Sequence, residues 1–311
     1  MKPWLLRSAV AILAVALGVA AGAGPLQRGN SARDRELAAQ KAQVVRTQQQ
    51  LEVLKETAAF AEAYAGATGP ALVQGTLAGR SVALVTLPGA DPDVVAQLRA
   101  GIEAAQGKVT SQVDLAAAMA RASSRQLVEA LTSQMVTQSP GLAVPPDAGG
   151  YERFGVLLAR AIGTGPTGTP ARAAYDTTAV SIMSGLQSAD LVKVSQPIEA
   201  RAGLALVVTG PEAASEAAAA DNAVPVTILQ GLGRQLPTVA VGPTGAAGSR
   251  GVIGALRANS GAGAVVSTVD SAETAMGRVV GVLALAARAR GTVGQYGAVR
   301  AADGVLPGAA P

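Results

Sequence analysis

Side chains that could bind a ligand lie together near the end of the chain. Ser267, Thr268 and Asp270 close a predicted strand at residues 264–269, and Tyr296 follows in a Gly-Gln-Tyr-Gly turn. In doubly wound α/β sheets, ligands bind in the crevice outside the carboxyl ends of the strands. We therefore predict a ligand crevice formed by Ser267, Thr268, Asp270 and Tyr296.

Structural roles for the same residues stay open. A helix is predicted directly after the strand, over residues 272–290. Either Asp270 or Ser271 could cap its first turn, because short oxygen-bearing side chains satisfy free N–H groups there. Tyr296 could pack against the edge of the sheet instead of serving a pocket.

The residue types of the chain give little support for a catalytic function. The chain contains neither cysteine nor histidine, so thiol nucleophiles and the commonest general base are missing. The crevice hydroxyls have no histidine or lysine evidently placed to activate them. Gly163, Gly165 and Gly168 match the dinucleotide fingerprint in spacing, but they follow a predicted helix and enclose Pro166, so we expect a plain loop. We predict no enzyme, no catalytic residue and no cofactor.

Composition limits the partners. About half of the 311 residues are apolar, only seven are aromatic, and the net charge of +4 is spread along the chain. A nucleic-acid surface needs a basic stripe or a stacking platform. We therefore expect no nucleic-acid partner.

The N-terminus carries an uncharged stretch, residues 8–27, bounded by Arg7 and Arg28. Twenty helical residues span about 30 Å, which is enough to cross a bilayer core. We predict that residues 1–27 form a transmembrane anchor, with a cleaved signal peptide as the alternative because small residues follow Leu17. Either interpretation places the remaining chain outside the cytoplasm. The membrane that holds the protein would be the cell membrane or an outer membrane.

Residues 28–66 are predicted to form a helical coiled-coil stalk. Four residues recur every seven positions, Leu37, Val44, Leu51 and Ala58. The position three further on is occupied by Thr47, Leu54 and Ala61. Such an a/d pattern is typical of helices that associate through an apolar seam. We expect a homo-oligomer, and the alternative is one amphipathic helix lying on the following domain.

Residues 78–297 are predicted to form one α/β domain with a doubly wound, mostly parallel sheet. Apolar strand patterns alternate with helical ones, which favours this fold class. The apolar run at residues 279–287 is too short to cross a bilayer, so we expect a buried helix there. Residues 298–311 are predicted to be a disordered tail. Helices are also predicted over residues 91–105 and within 123–187, and strands at residues 80–87, 108–115, 191–194, 204–209, 226–229, 238–241 and 264–269.

Several blocks resemble one known family. The most specific are VSTVD at residues 266–270 and GQYG at 294–297, and further blocks lie at 51–55, 82–85, 204–210, 251–257 and 275–285. On these residues the chain resembles the mycobacterial copper transport protein B family, membrane-anchored proteins of actinobacteria. The resemblance covers nearly the whole chain.

The resemblance implies a role in copper homeostasis, through copper efflux or tolerance across the envelope, and implies pore formation in an outer membrane. Soft copper ligands would be cysteine, histidine or methionine. Methionine alone is available, and Met119, Met135, Met183 and Met276 stand apart in apolar helical contexts. The metal ligands are therefore unknown. The alternative function is a non-conducting envelope scaffold or ligand-binding module with an oligomeric stalk.

Overall fold

The computed structural model describes residues 31–120, 124–166 and 173–308. The chain divides into two compact units, residues 1–59 and residues 60–311. The described part of the first unit is helical and exposed. The second unit holds the sheet and its helices.

Helix α1 (Ser31–Val73) has 43 residues and extends past the predicted end at residue 66. The heptad side chains Leu37, Val44, Leu51 and Leu54, all in the first unit, are 41%, 46%, 51% and 64% exposed. Over residues 31–66 the helical prediction is correct. The coiled coil itself stays a prediction.

Within the second unit, the last part of α1 packs on the domain. The Glu62 carboxylate accepts hydrogen bonds from the Ala275 N–H at 2.7 Å and from the Arg278 guanidinium at 3.1 Å. At Gly69 an added Cβ would lie 2.7 Å from Val279 Cγ2, so the contact is close. This segment of α1, within the second unit, therefore follows the alternative of a helix lying on the domain.

The sheet has seven strands in the order β3-β2-β1-β4-β5-β6-β7. All neighbouring pairs are parallel except β2 and β3, which are antiparallel. The predicted mostly parallel sheet is confirmed. The strands are β1 (Ser81–Thr86), β2 (Lys108–Leu115), β3 (Val192–Gln196), β4 (Leu204–Val208), β5 (Thr238–Val241), β6 (Val266–Val269) and β7 (Gln295–Tyr296).

Helices follow most of the strands. They are α2 (Pro92–Ala104), α3 (Arg125–Thr137), α4 (Gly150–Ile162), α5 (Thr177–Ser188), α6 (Glu216–Ala219), α7 (Ala223–Gln235), α8 (Val252–Ala258), α9 (Ser260–Gly263) and α10 (Ala275–Arg288). The predicted strand at residues 226–229 is wrong, since these residues lie in α7. Its β-branched residues resemble a buried strand, but Pro225 stands in the first turn of a helix, where proline is tolerated.

Helices cover both faces of the sheet, and successive side chains along a strand point to opposite faces. On β1, Ala83 and Val85 belong to the apolar cluster that includes Phe154 of α4. Val82 and Leu84 belong to the cluster that includes Leu98 of α2 and the apolar face of α10. Near-continuous apolar strands are expected when helices cover both faces.

Helix α10 contains the apolar run at residues 279–287, and most of this run is buried. The buried helix predicted there is confirmed. No helix within the described residues is both long and apolar enough to cross a membrane. The predicted anchor at residues 8–27 lies outside the described residues.

The predicted tail begins with hydrogen-bonded residues. Asp303 accepts a bond from the Gln295 N–H at 2.8 Å, and the Gly297 N–H donates to the Gly304 carbonyl at 3.2 Å. These bonds attach residues 303 and 304 to the end of β7.

Candidate functional site

The structure brings the four predicted crevice residues together at the end of β6. Ser267, Thr268 and Asp270 are almost fully buried, and Tyr296 lies on the neighbouring strand β7, 4% exposed. Burial raises the pKa of the Tyr296 hydroxyl, and the Asp303 carboxylate raises it further. The four residues thus share one location below the surface.

Arg257 of α8 organises this location. Its guanidinium donates to the Asp270 carboxylate at 3.0 Å, to the Thr268 hydroxyl at 3.0 Å and to the Tyr296 carbonyl at 2.7 Å. The Arg257 side chain is 7% exposed, so the ion pair is buried. A buried pair of this kind is stable only when its remaining hydrogen-bonding groups are satisfied.

The Asp270 carboxylate meets that condition through its neighbours. It also accepts bonds from the Ser271 hydroxyl at 2.7 Å and from the Ala298 and Val299 N–H groups at 2.7 and 3.1 Å. Four donors therefore occupy about four lone-pair positions. The ion pair thus holds the loop after β7 against the sheet. That the predicted crevice binds a ligand stays a prediction.

Helix α10 starts later than predicted, and its cap is a different residue. Thr274 precedes the helix, and its hydroxyl accepts a bond from the Gly277 N–H at 3.0 Å. Asp270 instead pairs with Arg257, and Ser271 lies in the left-handed region at φ 63°. Neither Asp270 nor Ser271 is therefore the cap.

A second polar group lies at the carboxyl ends of β1 and β2. The Asp114 carboxylate accepts bonds from the Thr86 hydroxyl at 2.7 Å, the Gln112 amide at 3.2 Å and the Ser195 hydroxyl. Partial burial alone would raise the pKa of Asp114, but these bonds and the nearby Lys193 charge outweigh it and lower the pKa. Asp114 is therefore ionised at neutral pH.

Arg99 of α2 faces the same cleft. Its guanidinium donates to the side-chain oxygens of Gln112 at 2.8 Å and of Gln196 at 2.5 Å. Arg99, Gln112 and Asp114 border a cavity of about 440 Å³. The polar positions alternate along β2, a signal that the sequence carries at Gln112 and Asp114, and our sequence reasoning missed it.

An apolar cavity of about 170 Å³ adjoins this cleft at Leu87, Pro88 and Leu115. It lies where the loops after β1 and β4 touch, and an added Cβ at Gly210 would be 2.6 Å from the Pro88 carbonyl. Strands β1 and β4 also mark the point where the strand order reverses. Open α/β sheets bind ligands at this point. The apolar lining includes Met119, Val224, Pro225, Ile228 and Val252.

Only the first part of the glycine-rich loop, up to residue 166, lies within the described residues. Gly163 follows the end of α4, and Gly165 adopts φ 117°. The third glycine of the fingerprint lies outside the described residues.

The internal methionines are dispersed through the fold. Met119, Met135 and Met183 are buried in one apolar core cluster, and Met276 is about half exposed on α10. No group of three or more histidine, cysteine, aspartate or glutamate side chains that could hold a metal ion occurs within the described part of the chain.

The fold and this edge of the sheet define a doubly wound α/β protein with a mostly parallel sheet, a polar cleft at the ends of β1 and β2, and an apolar cavity at the topological switch point. The chain belongs to the family described as copper transport outer membrane protein, MctB, whose sequence profile matches residues 6–307. The family predicted from the sequence is confirmed. No curated protein matches the chain in a sequence comparison.

Proposed function

We propose that the protein is a membrane-anchored envelope component of copper transport that acts as an oligomer. The family description associates the chain with copper transport and the outer membrane. Residues 8–27 would supply a single-pass anchor, and the α/β domain would lie outside the cytoplasm. We assign it no catalytic residue and no cofactor, and copper is its cargo.

The observation that carries the proposal is the apolar seam of α1. Leu37, Val44, Leu51 and Leu54 are each at least 41% exposed although they follow heptad spacing. Exposed heptad side chains are buried when two or more such helices associate. A shared membrane would raise the effective concentration of the seams and so favour association.

Copper passage would depend on the assembly, because one apolar helix does not enclose a channel. The chain has no cysteine or histidine, and its internal methionines are dispersed. Soft ligands are therefore scarce, and we place the conduit between subunits.

The test is reconstitution of the full-length chain in planar bilayers and copper-loaded liposomes. We expect discrete conductance and copper release that fall in the double variant Leu51→Ser/Leu54→Ser and persist in Val53→Ser, which lies off the seam. A folded oligomer that shows neither conductance nor copper release would overturn the conducting role. The exposed seam and the cleft at the sheet edge would then support the alternative, a non-conducting scaffold or ligand-binding module.

A further inference from the structure

The polar cleft at the carboxyl ends of β1 and β2 lies on the face of the sheet that α2 covers. Gln112 and Asp114 of β2 line it, and Arg99 reaches it from α2. Val95 and Ala96 of the same helix add apolar atoms to the lining. Its volume of about 440 Å³ falls within the range of small-molecule sites. The cleft therefore combines hydrogen-bonding groups with apolar contacts at the size of a small ligand.

Arg99 and Asp114 keep unused hydrogen-bonding capacity in this cleft. A guanidinium has five N–H donors, and within the described part of the chain Arg99 uses two of them, on the side-chain oxygens of Gln112 and Gln196. A carboxylate has about four lone-pair positions, and neighbouring side chains occupy three of those of Asp114. Donors therefore remain at Arg99, and about one acceptor position remains at Asp114.

Charges of both signs border the cleft, and they decide the charge of a matching ligand. The Gln112 amide accepts from Arg99 and donates to Asp114, so a carboxylate bound at Arg99 would lie one amide away from the ionised Asp114. Lys193 stands opposite Asp114 in the register of β2 and β3, and its charge acts on that carboxylate. An ammonium bound at Asp114 would therefore be repelled by Lys193. Either ion meets a like charge at close range, whereas a neutral ligand does not.

We propose that this cleft binds a neutral polyhydroxylated ligand of the size of one sugar ring. A hydroxyl group is both a donor and an acceptor, so the hydroxyls of one ring can donate to Asp114 and accept from Arg99. Bonds to these two charged groups are stronger than bonds between neutral groups. The C–H groups of the ring would pack on Pro92, Val95 and Ala96. The inference rests on the geometry of the cleft and is independent of copper transport.

The test uses the full-length chain in lipid nanodiscs, titrated with sugars and followed by saturation-transfer NMR, with empty nanodiscs as the blank. Glucose and myo-inositol are the neutral probes. Glucuronate and glucosamine share the ring of glucose, and at about pH 6 they carry a negative and a positive charge. We expect saturable binding of a neutral probe. Both charged analogues should bind about fivefold more weakly or worse, because each meets a like charge.

Variants test the polar contact and the space of the cleft separately. Arg99→Ala should weaken binding of the neutral probe about tenfold, the contribution of a hydrogen bond to a charged group. Arg290→Ala is its control, because Arg290 is exposed just after α10, and it should bind like the wild type. Ala96→Trp should abolish binding by filling the cleft from an exposed position on α2. Ala130→Trp places the same side chain at an exposed position of α3 and should leave binding unchanged.

Asp114→Asn distinguishes a ligand contact from a purely structural role. Without this negative charge a carboxylate is no longer repelled while Arg99 remains, so glucuronate should bind at least as tightly as glucose. Loss of binding by the same factor for every probe would instead indicate a structural role and overturn the proposal. So would the absence of saturable binding of either neutral probe, tighter binding of a charged analogue to the wild type, or equal binding by Ala96→Trp and Ala130→Trp.

Discussion

The Asp270 carboxylate is buried together with the Arg257 guanidinium, and each group neutralises the charge of the other. Removing one member of such a pair leaves an unpaired charge in the protein interior. The remaining charge then has no opposite charge beside it and little access to water, which makes the loss larger than for a pair at the surface.

We expect Asp270→Ala to lower the free energy of unfolding by about 3–5 kcal/mol. Urea unfolding of the full-length chain at neutral pH measures the change. Lys108→Ala is the control, because Lys108 and Glu199 form a pair about half exposed on both sides, and it should cost about 1 kcal/mol or less. Similar losses in both variants would contradict the structural role of the buried pair.

Asp114 provides a pH-dependent prediction. Its pKa is lower in the folded chain than its usual value, despite partial burial, because of the bonds from Ser195, Thr86 and Gln112. The unfolded state therefore binds the proton more tightly. The stabilisation is complete above about pH 4 and is lost as the pH falls through the lowered pKa.

Asp114→Asn should accordingly cost about 1 kcal/mol or less at neutral pH, since the site is partly exposed and screened. The difference from the wild type should shrink toward zero as the pH falls through the lowered pKa of Asp114. Urea unfolding across this range is the measurement. A difference that grows on acidification would show that the folded state does not favour the ionised carboxylate.

At the residue scale, the sequence predicted the location of Asp270 and Tyr296 but not the partner of Asp270. Arg257 and Asp270 are 13 positions apart and meet only because β6 lies beside α8 in the fold. Local patterns do not reveal such a pair. Alternation along β2 did carry the signal for Gln112 and Asp114, whereas Arg99 reaches them from a separate helix.

At the element scale, helices α4 and α7 touch through glycines. An added Cβ would lie 2.1 Å from the Ile228 carbonyl at Gly155 and 2.3 Å from the Glu152 carbonyl at Gly231. Each glycine thus accommodates the backbone of the opposite helix. A side chain at either position would separate the helices.

Gly155→Ala should therefore lower the free energy of unfolding by about 2 kcal/mol or more through overpacking. Gly66→Ala in α1 is the matched control, because nothing lies within 4 Å of its added Cβ. It should raise stability by about 0.5–1 kcal/mol, the usual gain for alanine in a helix. Thermal and urea unfolding measure both, and two changes of the same sign would contradict the close packing.

Periodicity in the sequence predicted most of the sheet, because strands covered on both faces are almost continuously apolar. It did not reveal that β3 runs antiparallel, since strand direction depends on the path of the connecting helices α3, α4 and α5. It also missed β7, whose two residues are too short to produce a pattern.

At the scale of the whole molecule, association through α1 is the feature to measure. Leu54→Ser should raise the dissociation constant of the oligomer by at least about tenfold, because a fully buried leucine contributes about 1.5–3 kcal/mol. Analytical ultracentrifugation of the full-length chain in detergent gives this constant. Val53→Ser removes a similarly exposed apolar side chain off the seam and should leave the constant unchanged; equal effects of the two would exclude a heptad interface.

The two edge strands of the sheet have a consequence for contacts between copies of the chain at high concentration. β3 is an antiparallel edge that exposes Lys193 and Ser195, and β7 has two residues. Short or lysine-bearing edges are poor templates for strand addition by another chain. Closely spaced copies would therefore resist fibrillar aggregation through their sheet edges. Any oligomer that they form would depend on contacts outside the sheet.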